Sequence, residues 1–268
     1  TLSQISPTDF DLVIVDEVHR AGAESYLALL NHLQPQFLLG LTATPERTDG
    51  FNIYELFDFN VPYEIRLQAA LESNMLVPFH YYGVTDFTLD SETTVTDTSK
   101  LSALVSEERV HHILEALKTY GHPENVRGLI FCSKTEEAEE LSKLLNQSLF
   151  NGSLLKTKAL SAKDSIPYRE EVVAELESGD LDYILTVDIF NEGIDIPSVN
   201  QIVMIRSTQS SIVFTQQLGR GLRKAAGKDH LRVIDFIGNY ANNYKKHPLK
   251  WKRSCLHQRT VIASRSWK

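Results

Sequence analysis

The chain has 268 residues, more than one small hydrophobic core usually serves, so two domains of roughly 100 to 150 residues are expected. Its 42% hydrophobic and 23% charged residues are typical of a globular protein and exclude a fibrous or disordered chain. No apolar run approaches the roughly 20 residues that cross a bilayer, no signal peptide is recognisable, and two cysteines make no disulfide framework. We therefore expect a cytoplasmic protein without a membrane partner.

The predicted elements begin with two apolar strands, at 11–17 and 36–44, separated by a helix at 23–33. The strands are continuous aliphatic runs, whereas the apolar residues of the helix recur at helical spacing. A further strand is predicted at 77–84. Residues 86–100 are polar, acidic and rich in Thr and Ser, which predicts a linker.

The remainder of the chain repeats the alternation of strand and helix. The predicted strands are 126–133, 155–161, 181–187, 199–206 and 231–237, and the predicted helices are 108–121, 134–149, 167–178 and 211–226. This order indicates an α/β fold with doubly wound parallel sheets. We predict one domain at 1–85 and a second at 101–240.

The charge of the chain is unevenly distributed along the sequence. The net charge is −8, which is unlike the basic surface of many nucleic-acid-binding proteins. Residues 241–268, however, contain Lys and Arg but no Asp or Glu and carry +8, so residues 1–240 carry −16. This basic tail is either an electrostatic docking segment or the solvated start of a further domain.

Two adjacent carboxylates, Asp16 and Glu17, end the first predicted strand. Ligands of open α/β sheets bind at the carboxyl ends of the strands. Because neighbouring strand residues point to opposite faces, we expect the two side chains to have different roles. Phosphoryl transfer needs a metal ligand, which suits Asp16, and a group that orients the attacking water, which suits Glu17. The alternative is an ordinary solvated strand end.

The second predicted strand ends in the sequence TATPER, which contains Thr42, Thr44 and Pro45. Hydroxyl side chains followed by proline predict a tight turn, and the hydroxyls can bond to a nearby carboxylate or to backbone amides. Such a turn is suited to respond to the state of the first site.

A pair of arginines, Arg220 and Arg223, lies three residues apart in the last predicted helix, which would place both on one face. Two guanidinium groups side by side suit a triphosphate. The glycines at 219 and 221 would let the backbone pack closely against another surface. Taken alone, the pair is better explained as two surface arginines.

Three further sites are predicted at strand ends and turns. Thr186 ends a strand, where its hydroxyl can donate to a phosphate, and the turn after Gly193 presents Asp195 to a ribose hydroxyl. Ser133 ends another strand at a helix start, where it could contact a phosphate. Ser133 with Glu136 equally matches an ordinary capping box.

The sequence resembles the superfamily 2 helicases of the DEAD/DEAH type over residues 11–240. DEVH at 16–19 and TATPER at 42–47 resemble motifs II and III, and Q-x-x-G-R-x-x-R at 216–223 resembles motif VI. The strand end LIFCS resembles motif IV, and TVDIFNEGIDIP resembles motif V. The resemblance implies two RecA-like domains that bind ATP and magnesium between them, and an ATP-dependent helicase or translocase activity.

The resemblance also implies roles for the residues of the first domain. Asp16 would bind magnesium, and Glu17 would activate water. His19 would connect this site to the turn of Thr42 and Thr44, which couples hydrolysis to movement of the nucleic acid.

For the second domain, the resemblance implies two kinds of contact. Thr186 and Ser133 would contact the nucleic-acid backbone. The nucleotide would be contacted by Gly193, Asp195, Gln216, Arg220 and Arg223, the last acting as an arginine finger.

The sequence departs from the family in one respect: it contains no G-x-x-x-x-G-K-S/T loop to hold the β- and γ-phosphates. We therefore expect an incomplete first domain, and a chain that cannot hydrolyse ATP alone. Within the superfamily it looks most like bacterial restriction and repair helicases, which favour DNA over RNA and whose relatives can carry a nuclease domain. The alternatives are a duplex-DNA translocase that does not unwind and a non-catalytic nucleic-acid-binding module.

Overall fold

A computed structural model describes residues 2–42, 50–86, 101–187, 196–205 and 217–237. The chain divides into two compact units, Thr1–Leu67 and Gln68–Lys268. Across the described residues, no helix has the length and apolar character that spanning a membrane requires.

The first unit contains a two-stranded parallel sheet. Strand β1 (Leu12–Val15) pairs with β2 (Phe37–Gly40), and helix α1 (Glu24–His32) connects them. Short 3₁₀ helices lie at Leu2–Gln4, Val18–Arg20 and Ile53–Phe57.

The two faces of this small sheet differ in burial. One face packs on a core formed by Val15, Val18, Ala21 and Ile53. On the other face, apolar side chains are more than half exposed, namely Leu12, Ile14 and Phe37. Contiguous exposed apolar side chains of this kind are unusual on the surface of a monomeric globular protein.

The second unit is built on a six-stranded sheet in the order β3-β10-β9-β4-β8-β7, in which all neighbouring strands are parallel. The strands are β3 (Phe79–Thr85), β4 (Gly128–Phe131), β7 (Thr157–Leu160), β8 (Tyr183–Thr186), β9 (Gln201–Met204) and β10 (Leu231–Ile237), with an antiparallel hairpin of β5 (Leu149–Phe150) and β6 (Ser153–Leu154). The helices are α2 (Leu67–Glu72), α3 (Leu101–Leu104), α4 (Glu107–Tyr120), α5 (Thr135–Asn146) and α6 (Ile166–Ser178). The predicted α/β class with parallel sheets is confirmed.

The central strands β4, β8 and β9 are buried along their whole length, which explains their continuous apolar sequences. Helices α4 and α5 cover the sheet with Ile113, Leu117, Leu141 and Leu145, which are almost completely buried. The chain passes from β4 outward to β7 and then crosses to β9 and β10. The point where the strand order reverses, beside β4, is where ligands of such sheets bind.

Capping residues explain where the helices begin and end. Ser106 accepts a hydrogen bond from the Arg109 N–H at the start of α4, and Ser165 caps α6 in the same way. Pro167 lies in the first turn of α6. The N–H groups of the first turn make no hydrogen bond within the helix, so a proline without an N–H is tolerated there. Gly179, with φ 90°, ends that helix.

The domain boundary differs from the predicted one. The strand predicted at 77–84 was assigned to the first domain, but β3 pairs with β10 from Phe79 opposite Leu231 to Thr85 opposite Ile237. The backbone of Asp86 continues this contact by donating to the Ile237 carbonyl. An apolar run predicts a strand, whereas its partner depends on residues about 150 positions away.

Other predicted segments are described only in part. Residues 87–100 of the predicted linker and the basic tail at 241–268 lie outside the described residues. Of the helix predicted at 211–226, residues 217–221 are helical and 222–226 are not, while 206–216 are outside the described part.

Candidate functional site

The two carboxylates of the first unit lie in a turn directly after β1, not on the strand as the sequence predicted. Glu17 has φ 48° and ψ 45°, the left-handed conformation, and begins the 3₁₀ helix that contains His19. The Asp16 carboxylate accepts the Glu17 N–H at 2.8 Å. A left-handed conformation costs a residue with a Cβ roughly 1–2 kcal/mol, and such strain is concentrated at functional sites.

His19 connects this turn to the end of β2. Its Nδ1 lies 3.0 Å from Thr42 Oγ1 and 3.2 Å from Glu17 Oε2, and its ring is buried. The backbone ties the same segments together, since the Val18 N–H donates to the Leu41 carbonyl at 2.9 Å. The structure thus brings together Glu17, His19 and Thr42, while Thr44 lies outside the described residues.

In the second unit, Thr186 ends the buried strand β8. Its side chain is completely buried, and its Oγ1 has no hydrogen-bond partner within the described part of the chain. A buried hydroxyl without a partner costs stability, so a functional explanation is warranted. Gly193 and Asp195, predicted to follow in the same site, lie outside the described residues.

The arginine-bearing segment packs on the sheet through one of its two glycines. A Cβ on Gly221 would lie 2.5 Å from Leu231 Cδ1 and 2.9 Å from Ile202 Cδ1, so any larger residue there requires these buried side chains to move. Around Gly219 there is open space within 4 Å, so the predicted reason for glycine applies to Gly221 alone.

The two predicted arginines do not lie on one helix face. Arg220 is half-buried within the helical residues, whereas Arg223 is exposed and lies two residues beyond their end. The Lys228 ammonium group donates to the carbonyls of Arg223 and Pro197, both at 2.9 Å, and so ties this turn to the end of the Gly/Pro turn. Gln216 is outside the described residues.

Ser133 lies between β4 and α5, and both of its donors are engaged. Its N–H and its hydroxyl donate to Glu137 Oε2 at 2.7 and 2.6 Å. The capping box with Glu136 is not formed, because Lys134 is the N-cap and the partner is one residue further along. These contacts favour a structural role for Ser133 over a phosphate contact.

Two buried charged residues were missed by the sequence analysis. Arg109 and Glu137 are completely buried and form an ion pair with an N–O distance of 2.7 Å. Each lies in line with the apolar face of its helix, Arg109 with Ile113 and Glu137 with Leu141. Opposite charges at core positions of successive helices were the available signal.

Two family models match the chain. Residues 108–225 match the helicase conserved C-terminal domain, and residues 1–47 match the res subunit of type III restriction enzymes.

Similar curated proteins extend these matches over most of the chain. A Saccharomyces cerevisiae protein named as an ATP-dependent helicase, IRC3, is 26% identical over 252 residues, or 88% of this chain and 35% of the yeast protein. The type I restriction enzyme EcoAI endonuclease subunit of Escherichia coli is 22% identical over 270 residues, or 87% of this chain and 32% of its own length. The chain thus spans about a third of these relatives.

Two solved structures share the fold. A Vibrio vulnificus YJ016 fragment named as an HsdR subunit of a type I restriction enzyme aligns with a TM-score of 0.67 at 22% identity, covering 90% of this chain and 46% of the fragment. The type ISP restriction-modification enzyme LlaBIII, solved bound to DNA, aligns with a TM-score of 0.63 at 17% identity, covering 85% of this chain and 18% of that one.

Proposed function

Because the chain belongs to the superfamily 2 helicases and is related to restriction enzymes, we propose that it is part of an ATP-driven motor that moves on nucleic acid, with DNA favoured over RNA. The observation that carries this proposal is the contact of His19 with both Thr42 and Glu17. It joins the residue placed to activate water to the turn that would transmit the outcome of hydrolysis.

The residues after β1 fit a magnesium–nucleotide complex. Asp16 is an exposed carboxylate, and Mg²⁺ is usually bound by one or two carboxylates together with phosphates and waters. Bound Mg²⁺ would neutralise charge on the transferred phosphoryl group. Asp16 would hold the ion, and Glu17 would orient the attacking water and accept its proton.

The second unit supplies the remaining contacts in this proposal. Arg220 and Arg223 stabilise the charge of the γ-phosphate, with Gln216, Gly193 and Asp195 on the same nucleotide. Thr186 is proposed to contact the nucleic-acid backbone, and because its side chain is buried, this contact requires the hydroxyl to become exposed.

In this proposal the phosphate loop is supplied by sequence other than these 268 residues. We propose that the chain alone is unable to hydrolyse ATP, because the lysine and amides that hold the β- and γ-phosphates are not among its residues. A nuclease domain attached elsewhere is part of the same proposal.

A duplex-DNA translocase that does not unwind its substrate is the second candidate. It is favoured by the match of residues 1–47 to a restriction-enzyme subunit and by the likeness to EcoAI. A strand-displacement assay beside a triplex-displacement assay separates the two, since a pure translocase displaces a third strand and leaves the duplex paired.

The deciding experiment measures ATP hydrolysis with and without DNA or RNA, for the complete protein that contains this chain and for the 268 residues alone. Glu17→Gln removes the water-activating carboxylate, and Arg223→Ala removes the arginine finger. The matched control is Glu24→Gln, which makes the same change at an exposed glutamate of α1.

We expect nucleic-acid-stimulated hydrolysis by the complete protein and by Glu24→Gln. A loss of about 10³-fold is expected in Glu17→Gln and Arg223→Ala, and no activity in the 268 residues alone. A complete protein that is inactive over a broad range of DNA and RNA would instead support the non-catalytic binding module.

A further inference from the structure

The buried pair of Arg109 and Glu137 connects four segments of the second unit. Arg109 Nη1 donates to Glu137 Oε1 at 2.7 Å and to the Leu104 carbonyl, at the end of α3, at 2.8 Å. Its Nη2 donates to the Ile205 carbonyl, just beyond β9, at 2.8 Å. The second carboxylate oxygen of Glu137 accepts both donors of Ser133.

Stability alone is a weak explanation for such a pair. Removing two charges from water is costly, and well-packed apolar residues of similar volume often do as well or better. Surrounding leucines and isoleucines already provide a close-packed core here. The specific contacts of the pair, rather than its contribution to stability, therefore require an explanation.

The contacts lie at the edge of the sheet where the proposed ligands bind. Strands β4 and β9 are neighbours, with Phe131 opposite Met204. Ile205 directly follows the carboxyl end of β9, and Ser133 lies two residues beyond the carboxyl end of β4. The Ile205 N–H also donates to the Phe131 carbonyl at 3.1 Å.

We propose that Arg109 and Glu137 are positioning residues, which hold the carboxyl ends of β4 and β9 in the arrangement that binding of nucleotide requires. This inference rests on the proposed function. Ser133 belongs to the same network, because its N–H and hydroxyl are both donated to Glu137, and it makes no contact with nucleic acid. Arg109 would act through the Ile205 carbonyl, which it holds just beyond the end of β9.

The test uses a charge-free double variant, Arg109→Met with Glu137→Met, in the complete protein. Single substitutions would leave a buried charge without its partner and are expected to unfold the domain. The double variant removes both charges at similar volume but leaves the Leu104 and Ile205 carbonyls and the two Ser133 donors without these partners, so its melting temperature is expected to fall. A circular dichroism spectrum like that of the parent shows that the fold is kept at the assay temperature. The matched control is Lys158→Met with Glu175→Met, which removes a half-exposed ion pair on β7 and α6.

Two measurements follow the double variant. Hydrogen exchange should accelerate about tenfold or more at the Ser133 amide, the factor for one lost charge-assisted hydrogen bond, while β7 and β8 stay protected. In the ATPase assay, KM for ATP should rise about tenfold or more with the fold intact, because small misplacement of binding groups is costly. The control variant should change neither quantity.

Each outcome decides the inference. A double variant with the parent's KM and kcat and a protected Ser133 amide overturns it, and the pair is then purely structural. Weaker nucleic-acid binding by Ser133→Ala, with an unchanged melting temperature, overturns the assignment of Ser133. An inactive parent protein refutes the proposed function and with it the ATPase role, while the exchange result still decides whether the network holds the strand ends.

Discussion

Single residues in this protein show why a glycine or a strained carboxylate stands where it does. Glu17 adopts a left-handed conformation that glycine would adopt without cost, so its side chain is retained in spite of the backbone. At Gly221 the reason is the opposite, because the surrounding side chains leave no room for a Cβ. The backbone conformation at one position and the lack of space at another can therefore restrict the residue type for opposite physical reasons.

Gly221→Ala is expected to lower the free energy of unfolding by about 1–3 kcal/mol, because the new methyl group meets the buried side chains of Leu231 and Ile202. Gly219→Ala is the matched control. It enters open space at a helical position and should be neutral or stabilising by up to about 1 kcal/mol. Urea unfolding of both variants measures the difference, and equal effects would show that the close packing of Gly221 is not limiting.

At the scale of elements, the amino ends of β3 and β10 and the turn after α4 meet in a cluster of histidines. The His80 and His230 rings are 4.7 Å apart, and the His122 and His230 rings are 4.9 Å apart. Arg232 lies beside them and donates to the carbonyls of residues 120 and 121. The cluster lies at the amino ends of the strands, whereas the candidate site residues follow their carboxyl ends. We therefore expect it to affect the stability of the second unit and not the candidate site.

The surroundings of the cluster disfavour protonation. Burial, followed by the Arg232 charge and His230, lowers the pKa of His122 to about 4. Burial, with Arg232 as a further cause, also lowers the pKa of His80 and of His230, and His80 contributes at His230. In the unfolded chain these rings titrate near their ordinary pKa of about 6.5.

The stability of the second unit should consequently fall as pH falls from about 6.5 toward 4, because the unfolded chain then binds more protons than the folded one. For His122 the loss is on the order of 2 kcal/mol once partial exposure of the ring is discounted. Urea unfolding across this range measures the free energy of unfolding at each pH. That free energy should depend less on pH in His122→Gln than in His111→Gln, which replaces an exposed histidine of α4 and serves as the control. Parallel pH profiles would contradict the prediction.

At the scale of the whole molecule, the position of β3 decides where the chain can be divided. Tyr81 on β3 donates a hydrogen bond of 2.5 Å to Asp235 on β10, and Tyr82 and Val84 pack against the main core. Val77, just before β3, donates its N–H to the Leu222 carbonyl at 2.9 Å. A division before residue 68 keeps these contacts, and a division after 85 removes them.

A chain of residues 68–268 is expected to unfold cooperatively, whereas residues 87–268 should be less stable by about 3 kcal/mol or more, because β10 loses its neighbour and apolar surface becomes exposed. Circular dichroism during thermal unfolding measures both. Equal melting temperatures would restore the boundary predicted from sequence.

The sequence by itself determined the α/β class and most strands and helices, because periodicity and buried aliphatic runs are local. Short motifs are local as well, and they predicted the residues of the candidate site. It also predicted that His19 connects Glu17 to the turn of Thr42. In the structure His19 contacts both residues. The roles of these residues stay predictions.

Only the tertiary structure decided which sheet β3 joins, that Glu17 leaves the strand, and that Arg109 meets Glu137. The partner of a strand and the partner of a buried charge lie far away in the sequence, and no local pattern specifies them. Arg109 and Glu137 are 28 residues apart, and Phe79 and Leu231 come together only when the sheet forms. The left-handed turn at Glu17 likewise depends on contacts with β2 that no propensity of glutamate predicts.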